Sequence, residues 1–323
     1  MYDTWVLTDE RIGSSKQAIA LADILKRRYQ EKKLHYNILG KLPSILKTGL
    51  MDLTQESIKS LSEPIPKFVI SCGRRSARIA VELKRKNQNC KIITILKPDL
   101  DFENFDLVIL PNHDKTVKLS KLDNVLFIDG ALVSNQNITV DRDLLIKLNK
   151  FPSPIITGLL GGKSKSCNLN ESHVKEFIHL LIRSAQHNKA TLFISNSRRT
   201  GIKNTELVKN ILKESKIPYY FYDVFSEEIN PYHVFLKKAS LIVLTGDSIS
   251  MCSEVLNTKK PVYIYHKDKM LGDKHKRFID HLMKNNFAKS CNFHKIQKFQ
   301  PAIFNQTDLI YKKILKLLKK DLS

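Results

Sequence analysis

The chain lacks what a disulfide framework, a zinc site or a membrane span requires. Its five cysteines (Cys72, Cys90, Cys167, Cys252 and Cys291) are odd in number and show no CxxC spacing, which argues against the first two. No apolar run approaches the ~18 to 20 residues of a membrane-spanning helix. There is no charged and apolar leader, because Thr4–Thr8 already reads as a strand, so a cytoplasmic protein is expected. No GxGxxG follows that strand, which argues against a nicotinamide or flavin enzyme. No GxSxG elbow, no acidic cluster for a metal and no short-period repeat is present. Acidic residues are also scarce: 32 Asp and Glu against 54 Lys and Arg, a net charge of +22. Such an excess suits nucleic acid, anionic lipid or phosphorylated substrates. The lysines are spread along the chain, however, and no basic run interleaves with aromatics as a single-strand platform does. The excess therefore reads first as compositional, and nucleic acid is not an expected partner.

What is present suits a large α/β protein. A hydrophobic content of 42% over 323 residues is enough for real cores and for two domains. In the first half, strands are predicted at Thr4–Thr8, 34–39, 67–72, 91–96, 106–110 and Val125–Ile128, with helices over 14–30, 75–87 and 141–150. The strands are almost continuously apolar, as strands buried on both faces of a parallel sheet are. Phe151-Pro152-Ser153-Pro154 interrupts the pattern. The second half repeats it, with strands at 155–160, Thr191–Ser195, 219–224, 241–244 and Val262–Tyr265. Helices are predicted around Val174–Ala185 and over 205–214, 274–286 and 308–320. The expected architecture is α/β: two doubly wound, Rossmann-like domains facing a cleft. Their expected bounds are 1–151 and 152–300, with 301–323 a helix packing back on the first domain.

The motifs lie at strand ends, where open α/β sheets bind ligands. Thr245-Gly246-Asp247-Ser248 ends one strand, and a short amphipathic segment carrying Ser253-Glu254 follows before Pro261 opens the next. Gly246 allows close backbone approach, and the helix after it offers N–H groups to an anion. Gly158 to Ser164 is one residue short of a Walker loop, but Gly161-Gly162 still suits phosphate contact. Two arginine pairs, Arg74-Arg75 after Gly73 and Arg198-Arg199 between Ser197 and Thr200, suit a diphosphate because guanidinium offers paired donors. Asp9 is either a base or a helix-start residue, with Gly13 close behind. His113, beside Asp114, is a candidate base, and Gly130 is a candidate wall of an acceptor site. The last helix sets Ile310, Ile314, Leu317 and Leu318 against a lysine face, which suits either core packing or an anionic membrane.

The segment from Ala239 to Tyr265 resembles the donor-nucleotide site of the two-domain GT-B glycosyltransferases. The peptidoglycan N-acetylglucosaminyltransferases have a similar run, whose glutamate holds the ribose of a UDP-sugar. Taken together, Trp5 to Asp9, Gly13 with Gln17, Cys72 to Ser76, Pro111 to Asp114, Gly130 to Leu132, Gly161 to Ser164, Ser197 to Thr200 and Thr245 to Ser248 resemble the elongated-mitochondria (mitochondrial fission) family. That resemblance implies a GT-B-like fold. The sequence departs from the family pattern at Glu10 and Ser14, where glycine and histidine are usual, and at Lys163, where proline is usual. Two functions follow as expectations. One is a glycosyltransferase-like protein: Arg198, Arg199, Gly246 and Ser248 hold a nucleotide-sugar diphosphate, Glu254 takes the ribose, and Asp9 or His113 deprotonates a lipid or envelope acceptor. It would need no metal or cofactor and could work at the inner face of the membrane. The other is a non-catalytic adaptor that keeps the fold.

Overall fold

The computed structural model describes residues 2–42, 47–134, 141–291, 296–304 and 307–319. The chain forms two units, Met1–Gln136 with Asn305–Ser323, and Asn137–Phe304. The first contains β1 (Thr4–Thr8), α1 (Ile12–Ile24), β2 (Tyr29–Lys33), α2 (Gln55–Ser60), β3 (Phe68–Cys72), α3 (Arg74–Lys86), β4 (Lys91–Ile95), β5 (Leu107–Pro111) and β6 (Val125–Ile128). The second contains α4 (Arg142–Asn149), β7 (Ile155–Leu159), α5 (Glu171–Asn188), β8 (Thr191–Ser195), α6 (Ile202–Glu214), β9 (Tyr219–Tyr222), α7 (Tyr232–Lys238), β10 (Leu241–Thr245), α8 (Ile249–Leu256), β11 (Val262–Tyr265), α9 (Asp273–Lys284) and β12 (Lys289–Ser290). The last helix, α10 (Thr307–Lys319), returns to the first unit, where Ile310 and Ile314 bury beside Ala18 and Leu21 of α1.

Each unit has one six-stranded sheet, ordered β2-β1-β3-β4-β5-β6 in the first and β12-β11-β10-β7-β8-β9 in the second, with every described pairing parallel. Successive strand residues point to opposite faces, so an apolar strand feeds two cores at once. In β10, Leu241 and Val243 pack with α5 and α6, while Ile242 and Leu244 pack with α8 and α9. In β3, Ile70 faces α1 and Val69 faces α3. Helices on both faces make each sheet doubly wound. The strand order reverses between β1 and β3 in the first unit and between β7 and β10 in the second, and at such a switch point the connections diverge and leave a crevice.

The structure adds α2, α7 and β12 to the elements read from the sequence and differs from that reading at α1, β2 and α4. The helix predicted over 14–30 ends at Ile24, because Lys26 adopts φ 53° in the left-handed region. Lys26 N–H donates to the Asp23 carbonyl and Arg27 N–H to that of Ala22, a Schellman cap. The second strand is Tyr29–Lys33, not 34–39. It is an edge strand, and its one buried residue, Lys32, lies over the Trp5 ring and donates to the Ser60 carbonyl. Finally, α4 packs in the second unit, with Leu144 and Leu148 beside Ile155, Phe193 and Phe235, although it precedes Pro152. No helix among the described residues is long and apolar enough to cross a membrane.

Candidate functional site

In the second unit, strand register brings three loops together. Leu159 of β7 pairs with Ser195 of β8 and with Leu244 of β10, so the three strands end level. The connections that emerge side by side carry Gly161-Gly162, Ser197 to Thr200, and Thr245 to Ser248. Asp247 ties them together. Its buried carboxylate accepts the Gly162 N–H (2.9 Å) and the Thr245 hydroxyl (2.6 Å) and pairs with the Arg199 guanidinium (2.9 Å). Gly161 N–H donates to Thr245 Oγ1 (2.8 Å), and the Thr200 hydroxyl donates to the Gly161 carbonyl. A Cβ on Gly161 would strike the Asp247 carboxylate, and one on Gly162 would strike the backbone of Arg199 and Thr200. Glycine here lets the chain's own groups close on one another.

The same holds for Gly246. Its N–H donates to the Tyr265 carbonyl, and Ile279 of α9 occupies the space a side chain would need. Ser248 uses its hydroxyl to cap α8 at Met251 N–H, and Ser197 N–H donates to Thr200 Oγ1 (3.1 Å). The side chains left facing solvent are cationic. Arg198 and Lys163 are exposed and without an ion pair among the described residues, and Arg199 keeps 39% of its side chain exposed beside Asp247. Gly201, at φ 78° ahead of α6, provides the turn that starts that helix. Glu254 is half-buried in α8. Burial, reinforced by the Glu254 carboxylate, pushes the Tyr232 phenol well above its ordinary value.

The first unit gathers its candidates at the matching edge of its own sheet. Asp9 follows β1, and its Oδ1 accepts the Arg11 N–H (2.8 Å) at the start of α1. Its Oδ2 pairs with Arg75 (3.3 Å), which also binds Glu10 and stacks on the Tyr36 ring at 4.4 Å. Burial works to raise the Glu10 carboxyl, but the Arg75 hydrogen bond and charge hold it below its ordinary value. Arg74 reaches Asp99 at 3.6 Å and is largely exposed. Gly73, at φ 85°, starts α3. Gly13 has open space around its Cα, and its carbonyl accepts from Gln17, whose Oε1 accepts the Leu132 N–H beyond Gly130. His113 sits in a single 3₁₀ turn after β5, half-buried. Both Asp9 oxygens are thus engaged within the protein, one by the Arg11 N–H just ahead of α1 and the other by the ion pair with Arg75.

Two features escaped the sequence reading. Arg78, Asp52 and Lys47 form a buried ionic triad in the first unit, with Lys47 3.3 Å from Asp52 and Arg78 donating to the Gly49 carbonyl. The one signal was an arginine within the apolar stretch Ala77 to Val81. The other is His275, in the first turn of α9 beside Asp247 and Arg199. Its signal was its position four residues before Ile279, on the buried face of that helix. Among the described residues, no group of three or more histidines, cysteines or carboxylates could hold a metal ion.

Two parallel sheets in this arrangement define the GT-B class of fold, shared by glycosyltransferases and sugar-nucleotide epimerases. The structure matches UDP-GlcNAc 2-epimerase from Methanocaldococcus jannaschii with a TM-score of 0.59, over 98% of this chain and 99% of that one, at 12% identity. It matches spinosyn forosaminyltransferase SpnP with a TM-score of 0.52, over 99% and 91%, at 14% identity. Within that class, the family model described as Mitochondrial fission ELM1 matches residues 12–318, and the chain belongs to that family. The protein RP120 of Rickettsia prowazekii (strain Madrid E) is 32% identical over 325 residues, 89% of this chain and 90% of that one. Mitochondrial fission protein ELM1 of Arabidopsis thaliana is 24% identical over 250 residues, 70% of this chain and 58% of that one.

Proposed function

We propose that this chain binds a nucleoside diphosphate sugar through its diphosphate, at the carboxyl edge of the sheet of the second unit. The observation that supports this is the cationic rim of Arg198, Arg199 and Lys163 at the switch point between β7 and β10. Guanidinium donors there suit phosphate oxygens, and the carboxyl edge at a switch point is where sheets of this order bind nucleotides. A fold neighbour, the Methanocaldococcus jannaschii epimerase, has been solved in complex with UDP-GlcNAc and UDP. Glu254 takes the ribose hydroxyls in this reading. In the first unit, Asp9 or His113 serves as base toward a lipid or envelope acceptor, and Asp9 must first give up part of its pairing with Arg75.

A second reading, the adaptor, is favoured by the state of the backbone donors. The N–H groups of Gly161, Gly162 and Gly246 already have acceptors within the protein. A diphosphate then gains no amide from these three glycines and leans more on side chains, which suits binding better than turnover.

A thermal-shift screen of UDP-, GDP-, ADP- and CMP-sugars tests the proposal. Ligand at ~100 times its dissociation constant adds about 2.7 kcal/mol of stability. Arg198→Ala should weaken binding ~10-fold or more, and Glu254→Gln by about 1.5 to 3 kcal/mol, the range for a hydrogen bond to a charged group. No shift with any of the four would overturn the proposal. Binding without release of nucleoside diphosphate, in the presence of acceptor lipids, would select the adaptor.

A further inference from the structure

We propose that His275 is a ligand-binding residue of this crevice, donating a hydrogen bond to the diphosphate and taking up a proton as it does so. The inference rests on the reading of the crevice as a diphosphate site. Its first support is position. His275 and Ile279 share a face of α9, and Ile279 packs against Gly246, so the ring stands over the loop after β10. The start of α9 is held there: Gly272 fits against the Ser166 carbonyl, and Asn168 N–H donates to the Met270 carbonyl.

The second support is a contrast within the chain. His173 and His275 are both the third residue of their helices. His173 closes a capping box, its Nδ1 accepting the Asn170 N–H (3.4 Å). Gly272 offers α9 no side-chain cap, and the buried Nδ1 of His275 has no hydrogen-bond partner among the described residues. Here the imidazole does no capping work, and none of the described residues bonds its ring nitrogens.

The charged groups facing the ring are Asp247 from the β10 loop, Arg199 from the β8 loop and Lys274 from α9 itself. Burial holds the imidazole below its ordinary value of 6.5; Asp247 opposes this, and Arg199 and Lys274 add to it. In the free protein the ring is therefore neutral at pH 7. Fixed negative charge from a diphosphate favours the imidazolium. Binding then draws a proton onto the ring, and affinity rises as pH falls.

The test is isothermal titration of wild type and His275→Gln with UDP-N-acetylglucosamine, or GDP-mannose if it binds more tightly in the nucleotide-sugar screen. Neither diphosphate diester titrates near pH 6. Runs at pH 6 and pH 8, in two buffers of different ionisation enthalpy, read the protons exchanged. Wild type should take up a fraction of a proton at pH 6 and bind several-fold tighter there than at pH 8. His275→Gln should show neither effect and should bind ~10-fold more weakly at pH 6, as expected for loss of one charge-assisted hydrogen bond. Ring NMR of His275 in the wild type requires no substitution, and its pKa should rise on saturation with ligand. Binding that is independent of pH, or an unmoved His275 resonance, overturns this inference and leaves the proposed function standing. A wild type that binds no nucleotide sugar overturns both.

Discussion

The glycines at the carboxyl edge of the second sheet read in sequence as places where a ligand could approach. In the structure the approaching groups belong to the protein. Space at Gly162 is taken by backbone, which cannot rotate away, whereas at Gly246 it is taken mainly by the flexible end of Ile279. Gly162→Ala should therefore cost about 3 kcal/mol or more, and Gly246→Ala about 1 to 3 kcal/mol. Denaturant unfolding at constant m would measure both. Equal costs would show that the Arg199 turn can shift. Spacing alone could not distinguish these roles, because a glycine that admits a phosphate and one that admits a carboxylate are written the same way. Asp247 illustrates the same limit. It was legible as one member of a Thr-Gly-Asp-Ser turn, but not as the group that ties three loops together, because its partners lie 48 and 85 residues away.

Elements buried on both faces were the legible ones. β3, β4, β5, β7, β8, β10 and β11 are short apolar runs with punctuation at each end, and they lie where the sequence placed them. β2 was missed because an edge strand need not be apolar, while the more apolar stretch after it contributes a single buried residue, Leu34, and leaves Ile38 exposed. Residues 47–52 are held against α3 by the triad of Lys47, Asp52 and Arg78. Asp52→Asn leaves two buried cations facing a neutral amide. A loss of about 3 to 5 kcal/mol is expected, as for a buried pair deprived of one partner. Faster proteolysis between 47 and 53 should accompany the loss, and an unchanged unfolding midpoint would refute this account.

For the whole molecule, two half-buried histidines set a pH dependence. Burial lowers both His266 and His275 from the ordinary 6.5. Below about pH 6.5 the unfolded chain binds protons that the folded chain does not. This contribution is therefore present above that pH and is lost as the pH falls through the lowered values. The melting temperature should drop from pH 7 to pH 5, and His266→Gln should make the decline shallower; a parallel decline would exclude that histidine. The net charge of +22 makes a separate prediction. Oligonucleotide binding should be weak and indifferent to sequence, and it should be gone by ~200 mM salt, since each phosphate contact contributes about −0.9 to the logarithmic salt slope. Tight binding in anisotropy measurements at that salt would bring nucleic acid back as a partner.

Asp247 also bears on how such a chain can change over time. In many nucleotide sites the loops stay frayed until phosphate satisfies their amides, so stability and function are selected together. In this chain an acid encoded in the polypeptide satisfies the Gly162 amide and part of the Arg199 guanidinium without any nucleotide. The order of these loops then does not depend on any bound phosphate. Whatever this edge of the sheet binds, losing that ligand would cost the loops none of the contacts that Asp247 makes. Their surface would remain intact and available for a different kind of selection.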